Sequence, residues 1–278
     1  MSVEPSPAAA TTVAATPVAI VTGASSGIGA ALARLFAADG HAVMLVARRE
    51  AELNALADDI AAAGWPRPTV LALDLAAPEA VSRIREVLSA RGLAPKYVVN
   101  NAGFGLLGVA AALDRDEQLA MIDLNVKALT ALSLAFADDL VRLQGGLLNV
   151  GSLAGFMPGP GMAVYYATKA YVISFSEALW RELGPKGVRV TVLCPGPVPT
   201  GFQARAGVTV TGLQSILTVT AEDAAKAGYD GLMAGRRMVV PGRLAGLVPL
   251  LARLMPRNVM IGLIASTQIR RLGPRGGL

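Results

Sequence analysis

The sequence predicts an α/β protein: a single-domain, doubly wound parallel sheet of about seven strands with helices on both faces. Two observations carry this expectation. Short β-branched runs alternate with longer stretches of helical periodicity along most of the chain, and the first run passes into its helix through Thr22-Gly23-Ala24-Ser25-Ser26-Gly27-Ile28-Gly29. Crossovers of consistent hand turn such an alternation into a parallel sheet, with the ligand at the carboxyl ends of the strands where the strand order reverses.

The elements follow in order. Residues 1–16 are rich in Ala, Thr and Pro without periodicity and are expected to be a disordered extension. Strands are expected at 17–22, 41–46, 69–73, 97–99, 146–150, 188–193 and 238–240, with helices near 27–39, 49–63, 78–90, 116–142, 162–183 and 221–235. The first strand reads Val18-Ala19-Ile20-Val21, and His41 opens the second directly after Gly40. The segment from Leu143 to Thr168 carries no charge, but Gly145-Gly146, Gly151, Gly155 and Pro158-Gly159-Pro160-Gly161 make it strand and loop rather than a spanning helix. The uncharged stretch from Pro5 to Ala33 is likewise interrupted, and Glu4 stands where an export signal would carry a basic residue. The division expected is a core domain over 17–241 followed by a tail over 242–278.

Composition agrees with one large core: 278 residues, 53% hydrophobic and 16% charged. The only cysteine, Cys194, excludes an internal disulfide and fits a reducing, cytoplasmic setting; beside Val190-Thr191-Val192-Leu193 it reads as a core residue rather than a nucleophile. One cysteine and one histidine make a structural zinc site, or any metal site, an unpromising reading.

The glycine-spaced turn has a physical logic. Gly23 permits the sharp turn, Gly27 lets backbone approach a pyrophosphate, and Gly29 lets the helix pack close to the sheet. Ser25, Ser26 and Ile28 belong to the same cradle, and the helix N-terminus offers N–H groups to an anion. Taken with Asn100-Asn101-Ala102-Gly103, Ser152, Tyr165-x-x-x-Lys169 and Pro195-Gly196, this turn closely resembles the short-chain dehydrogenase/reductase family. The resemblance runs from about Pro17 to Pro241, with the motifs in the family's order, and implies a Rossmann-like fold.

Tyr165 and Lys169 are one helical turn apart and leave the same face of their helix. A phenol titrates near pH 10, so a nearby ammonium that favours the phenolate is expected to lower its pKa and make an acid/base couple suited to carbonyl and alcohol chemistry. The resemblance implies that Tyr165 exchanges the proton, that Lys169 also holds the nicotinamide ribose, that Ser152 bonds the substrate oxygen and that Asn125 anchors the lysine through water. Tyr166, three residues from Lys169, is the rival phenol; packing is expected of it and of Tyr171.

Cofactor choice is expected to lie just after the second strand. There the sequence reads Val46-Ala47-Arg48-Arg49, with no acid to hold a free ribose hydroxyl and with Arg48 matching the position that pairs with a 2′-phosphate, so NADPH is preferred over NADH. Asp74, followed by Leu75, matches the family's adenine-contacting acid, though it could equally cap a helix. The resemblance further implies that Asn101, Ala102 and Gly103 pack on cofactor and first turn. By the same likeness Pro195, Gly196 and Val198 present backbone to the nicotinamide, with Thr200 adding a hydroxyl.

From Arg236 to Leu278 there are eight arginines and no acid, so a chain of net charge +5 carries +8 in its tail and about −3 elsewhere. Leu244, Leu247, Val248, Leu251, Leu254 and Met255 fall on one side of a helical wheel and Arg243, Arg253 and Arg257 on the other, while Pro249 and Pro256 should kink or divide the segment. Two readings stay open: helices packed over the substrate entrance or a subunit, or an interfacial anchor on anionic lipid. Nucleic-acid binding is not expected, since the basic residues lack interleaved aromatics.

The expected activity is NADPH-dependent interconversion of a ketone, expected to be apolar, and a secondary alcohol. Two alternatives stand beside it: reduction of a lipid-linked 3-oxoacyl group at a membrane surface, and a non-catalytic dinucleotide-binding module, against which the intact Ser152, Tyr165 and Lys169 argue. The resemblance also implies a homodimer or homotetramer built on helices 116–142 and 162–183.

Overall fold

A computed structural model of the chain describes residues 15–199, 213–242 and 244–272. In chain order it contains β1 (Thr16–Thr22), α1 (Gly27–Ala38), β2 (Ala42–Ala47), α2 (Glu50–Ala62), β3 (Thr69–Ala72), α3 (Ala80–Ala90), β4 (Leu93–Asn100) and α4 (Arg115–Ile122). A π-helical segment (Asp123–Ala128), α5 (Leu129–Ala135), α6 (Ala137–Arg142), β5 (Gly146–Val150), α7 (Ala163–Leu183) and β6 (Arg189–Leu193) follow. The chain continues with α8 (Leu213–Ile216), α9 (Ala221–Met233), β7 (Met238–Val239), α10 (Val248–Leu254) and α11 (Arg257–Leu272).

The strands form one seven-stranded sheet in the order β3-β2-β1-β4-β5-β6-β7, with every pairing parallel. The chain runs outward from β1 through β2 to β3 and returns to the other side of β1 with β4. A crevice therefore opens where β1 and β4 diverge at their carboxyl ends. Two apolar layers bury the sheet. One joins Ala19, Val21 and Leu45 to Leu32, Phe36, Leu53 and Leu232 under α1, α2 and α9; the other joins Ile20, Met44 and Val98 to Ile84, Phe136, Leu140 and Leu179 under α3, α5–α6 and α7. Alternate residues of β1 thus face opposite layers, as the strand period of two requires.

Three elements differ in extent from expectation. The strand expected at 97–99 begins at Leu93; Pro95 and Lys96 disguise it, and the register with β1 shifts there, between Val18 and Ala19, which is where a sheet tolerates proline. The single helix expected at 116–142 is interrupted by the π segment and again at Phe136, whose ψ of 4° breaks the helical run. Of the extension expected over 1–16, only Ala15 and Thr16 are described, and Thr16 opens β1.

Candidate functional site

The carboxyl ends of the strands open into a cleft of about 910 Å³. Of the expected cofactor residues it is lined by Gly23, Ser25, Ser26, Gly27, Ile28, Arg48, Arg49, Asp74, Leu75, Asn101, Ala102, Gly103, Pro195, Gly196 and Val198, and Ser152, Tyr165 and Lys169 line the same cleft. Among the described residues, two of the proposed positions, Gly29 and Asn125, are not on it. Thr200 lies outside the described residues, and Gly29 sits behind the turn: a Cβ there would come within 2.4 Å of the Gly23 carbonyl and 2.5 Å of Asn101 Nδ2. Gly29 therefore serves the cradle by letting α1 approach it.

The turn is fixed from beneath. Gly23 and Gly27 hold φ of +63° and +57°, which favour glycine. Asn101 Nδ2 donates to the carbonyls of Thr22 (2.9 Å) and Gly23 (3.2 Å), and the Asn101 amide donates to Thr22 Oγ1 (3.0 Å). Ser26 caps α1 through its backbone alone; its hydroxyl instead accepts from Arg49 Nη2 at 3.1 Å. Arg49 Nη2 also donates to Ser25 Oγ at 2.9 Å, and Arg49 Nη1 pairs with Glu52 at 3.2 Å. The guanidinium thus bridges the cradle and α2, whose first-turn Glu50 and Glu52 offset the cation at its start. Arg48 is exposed at the same end. Asp74 does not cap α3, whose N-cap is Glu79; its carboxylate accepts from the Ala76 amide at 3.0 Å while lining the cleft.

On the opposite wall Ser152 follows β5 and starts a short 3₁₀ turn, its hydroxyl accepting from the Ala154 amide at 3.1 Å. The same hydroxyl is hydrogen-bonded to the Tyr165 phenol. Lys169, one turn along α7, is buried and donates to the Val150 carbonyl at 2.8 Å, with Nζ 5.8 Å from the Tyr165 ring centre. Burial pulls its pKa down to about 8, with Cys194 acting in the opposite sense. The expected depression of the Tyr165 pKa is not what this environment gives. Burial raises it above the ordinary phenol value, the Ser152 hydrogen bond pulls it back only in part, and Tyr166 raises it further. The lysine is turned to a backbone carbonyl, and desolvation is the larger effect.

Asn125 lies in the π segment and does not bond Lys169 directly. Its Oδ1 accepts from the Phe104 amide (3.0 Å), and its Nδ2 donates to the Phe104 carbonyl (2.9 Å) and to Thr168 Oγ1 (3.1 Å). Thr168 Oγ1 in turn donates to the Tyr165 carbonyl at 2.7 Å. Asn125 therefore ties the loop after β4 to the turn of α7 that carries Tyr165 and Lys169. Thr168 and Phe104 are the members the sequence reading missed; a threonine beside Lys169 was the only signal for the first, and a backbone contact leaves none for the second.

Tyr166 is buried, its ring packed on Gly159 and its hydroxyl accepting from Gln268 Nε2 of α11 at 3.2 Å. Packing, as expected, is its place. Tyr171 packs as well, stacked on Phe175, but toward the outside of α7, where it is 37% exposed and bonded to Thr130. Cys194 is fully buried, and its thiol is pushed up to about 12.

The far end of the cleft is apolar and is formed largely by the tail. Val248, Leu251, Ala252 and Met255 from α10 and its end, with Met260, Leu263 and Ile264 from α11, face Leu153, Met157 and Met162. The wheel that placed six tail residues on one side does not survive, because Pro249 and Pro256 divide the segment as expected: Val248, Leu251 and Met255 line the cleft, whereas Leu244, Leu247 and Leu254 are exposed. Among the described residues, no helix is long and apolar enough to cross a membrane.

This fold and this wall of side chains define a class of protein. The short chain dehydrogenase family matches residues 17–211, and the chain belongs to that family: it is an NAD(P)-dependent oxidoreductase of the short-chain dehydrogenase/reductase type. It is 37% identical over 188 residues to sulfoacetaldehyde reductase 2 of Chromohalobacter salexigens, covering 66% of this chain and 74% of that one. Among solved structures, a short-chain dehydrogenase from Sphingobium yanoikuyae in complex with NADPH is 32% identical with a TM-score of 0.74, covering 87% of this chain and 97% of that one. A bulky-bulky ketone specific alcohol dehydrogenase from Comamonas testosteroni is 27% identical with a TM-score of 0.70, over 87% and 95% of the two chains.

Proposed function

We propose that the protein interconverts an apolar ketone and its secondary alcohol with NADPH as the preferred hydride donor and Tyr165 as the group that gives and takes the proton. The observation that carries this reading is the shared wall of one cleft, on which the Ser152–Tyr165 hydrogen bond lies beside Lys169 and across from the glycine cradle. A bound NADPH supplies the hydride. The cradle's backbone and α1 N-terminus would hold the pyrophosphate, and Arg48 and Arg49 would donate to the 2′-phosphate. Ser152 donates to the carbonyl oxygen and orients it toward the Tyr165 hydroxyl. As the carbonyl carbon receives hydride, the phenol proton passes to the oxygen, and the resulting phenolate is stabilised by Ser152 and by the Lys169 ammonium. Burial makes the free phenol a reluctant acid, so proton transfer is coupled to the charge developing on the substrate oxygen. Asn125 acts through Thr168 and Phe104 as a positioning residue.

The apolar far end supports an uncharged ketone. Among the described residues lining the cleft, the cationic side chains are Arg48 and Arg49 at the cofactor end and the buried Lys169. A sulfonated aldehyde, which the name of the Chromohalobacter relative suggests for that protein, would meet no cationic side chain among the described residues of the apolar end. The lone Cys194 is compatible with a reducing, cytoplasmic location. Exposed Leu119, Ile122, Leu134, Tyr171 and Trp180 on α4, α5 and α7 support a homodimer or homotetramer built on these helices. The test is a panel of small ketones, bulky apolar ketones, sulfonated aldehydes and 3-oxoacyl thioesters, each with NADPH and NADH. Fastest turnover of bulky neutral ketones with NADPH is expected; a preference for a sulfonated aldehyde, or for NADH, would overturn the corresponding part.

A further inference from the structure

We infer that α10 and the turn before it form a docking surface for an anionic lipid bilayer, which sets the apolar end of the cleft against the membrane. The argument begins with a helix that has two apolar faces. Val248, Leu251 and Met255 line the cleft, which accounts for one. Leu247, Leu250 and Leu254, spaced as neighbours on a helix surface, turn away from it and are 51%, 55% and 71% exposed; Leu244 and Val259 add to the same exposed set. A globular protein normally turns a charged face to water at this position. Here the charge that is present has one sign. Arg253 and Arg257 are exposed among these leucines, and the sequence from Arg236 to Leu278 holds eight arginines and no acid.

Exposed leucines with a basic rim are the chemistry of an interfacial helix, whose apolar side chains enter the headgroup–acyl boundary while cations pair with anionic headgroups. A second copy of the chain would offer the same positive tail and repel it, which favours lipid as the occupant. Leu251 and Leu263 both line the cleft and are more than half exposed, so the cleft opens on this same surface. With the proposed activity, which this consequence presupposes, docking lets an apolar ketone enter from the acyl region without crossing water.

Flotation of the full-length protein, with NADPH present, tests the docking without needing turnover, so its failure and failure of the proposed activity are separately visible. Vesicles of phosphatidylcholine alone and with phosphatidylglycerol are compared at low and high salt. The protein is expected to float with anionic vesicles, to release at high salt, and to float poorly with neutral ones. Leu250→Asp/Leu254→Asp and, independently, Arg253→Glu/Arg257→Glu should each lower the bound fraction by on the order of tenfold. The leucine variant should keep its rate on a water-soluble ketone. Absence of vesicle binding overturns the proposal, as does binding undiminished in both variants. A lipid-free, concentration-dependent rise in mass that the leucine variant abolishes also overturns it, by assigning the surface to a second copy.

Discussion

Replacing Lys169 by Met should inactivate the protein and stabilise it. Lys169 is 7% exposed, and burial moves its pKa from 10.5 to about 8. That displacement is worth roughly 3 kcal/mol against folding with the ammonium charged. The sign follows from proton counting. Between about pH 8 and 10.5 the unfolded chain binds more protons at this site than the folded one, so stability rises with pH across that window, and below about 8 the full cost is present. Methionine removes the cost and keeps most of the volume, but it deprives the Val150 carbonyl of its 2.8 Å hydrogen bond, a loss of about 1 kcal/mol. The net expectation near pH 7 is a gain of about 2 kcal/mol, shrinking as pH rises through the window. Urea unfolding of both proteins without cofactor, at a series of pH values, reads this directly. A variant less stable than the parent at pH 7, or an advantage independent of pH, would refute the reasoning that the cost of burying this charge outweighs its hydrogen bond.

Three further outcomes are expected. Arg48→Ala/Arg49→Ala should weaken NADPH by about 10- to 100-fold, as expected for lost charge-assisted phosphate contacts, and NADH much less, read by fluorescence titration; equal losses would remove the arginines from cofactor choice. Gly29→Ala should destabilise by about 1–3 kcal/mol or more in denaturant unfolding, because its Cβ meets backbone at 2.4 Å and that neighbour has little freedom to move; a neutral substitution would contradict the close approach of α1. Asn125→Ala should cost about 1–3 kcal/mol by removing its hydrogen bonds to Phe104 and Thr168 and should lower kcat more than it raises KM, whereas an unchanged kcat would make its role purely structural.

The sheet was legible because its signals are local. Alternating apolar runs and Gly23, Gly27 and Gly29 specify strand, turn and helix within a few residues of each other, and the observed order and parallel pairing follow from crossover handedness. What the sequence left hidden depends on contacts between distant segments. The π segment around Asn125 is held by Phe104, 21 positions away, and by Thr168, 43 positions away, and no period announces it. Arg49 looked like a neighbour of Arg48, yet its partners Ser25 and Ser26 lie across the turn. The Tyr165–Lys169 spacing correctly brought the two onto one face, but spacing says nothing about desolvation, which reverses the expected direction of the phenol's pKa. The tail illustrates the same limit: its prolines marked the breaks, whereas only packing divides its leucines between the cleft and the outer surface.

The central claim is that Tyr165, rather than its neighbour Tyr166, carries the proton. Turnover of an apolar ketone with NADPH should therefore be measured for Tyr165→Phe and Tyr166→Phe, with NADPH binding titrated in the same preparations. The account predicts that Tyr165→Phe loses about 100-fold or more in kcat while still binding the cofactor, as expected for removal of a general acid, and that Tyr166→Phe, which loses its bond to Gln268, remains active. Near-normal turnover by Tyr165→Phe, or inactivity confined to Tyr166→Phe, would contradict it.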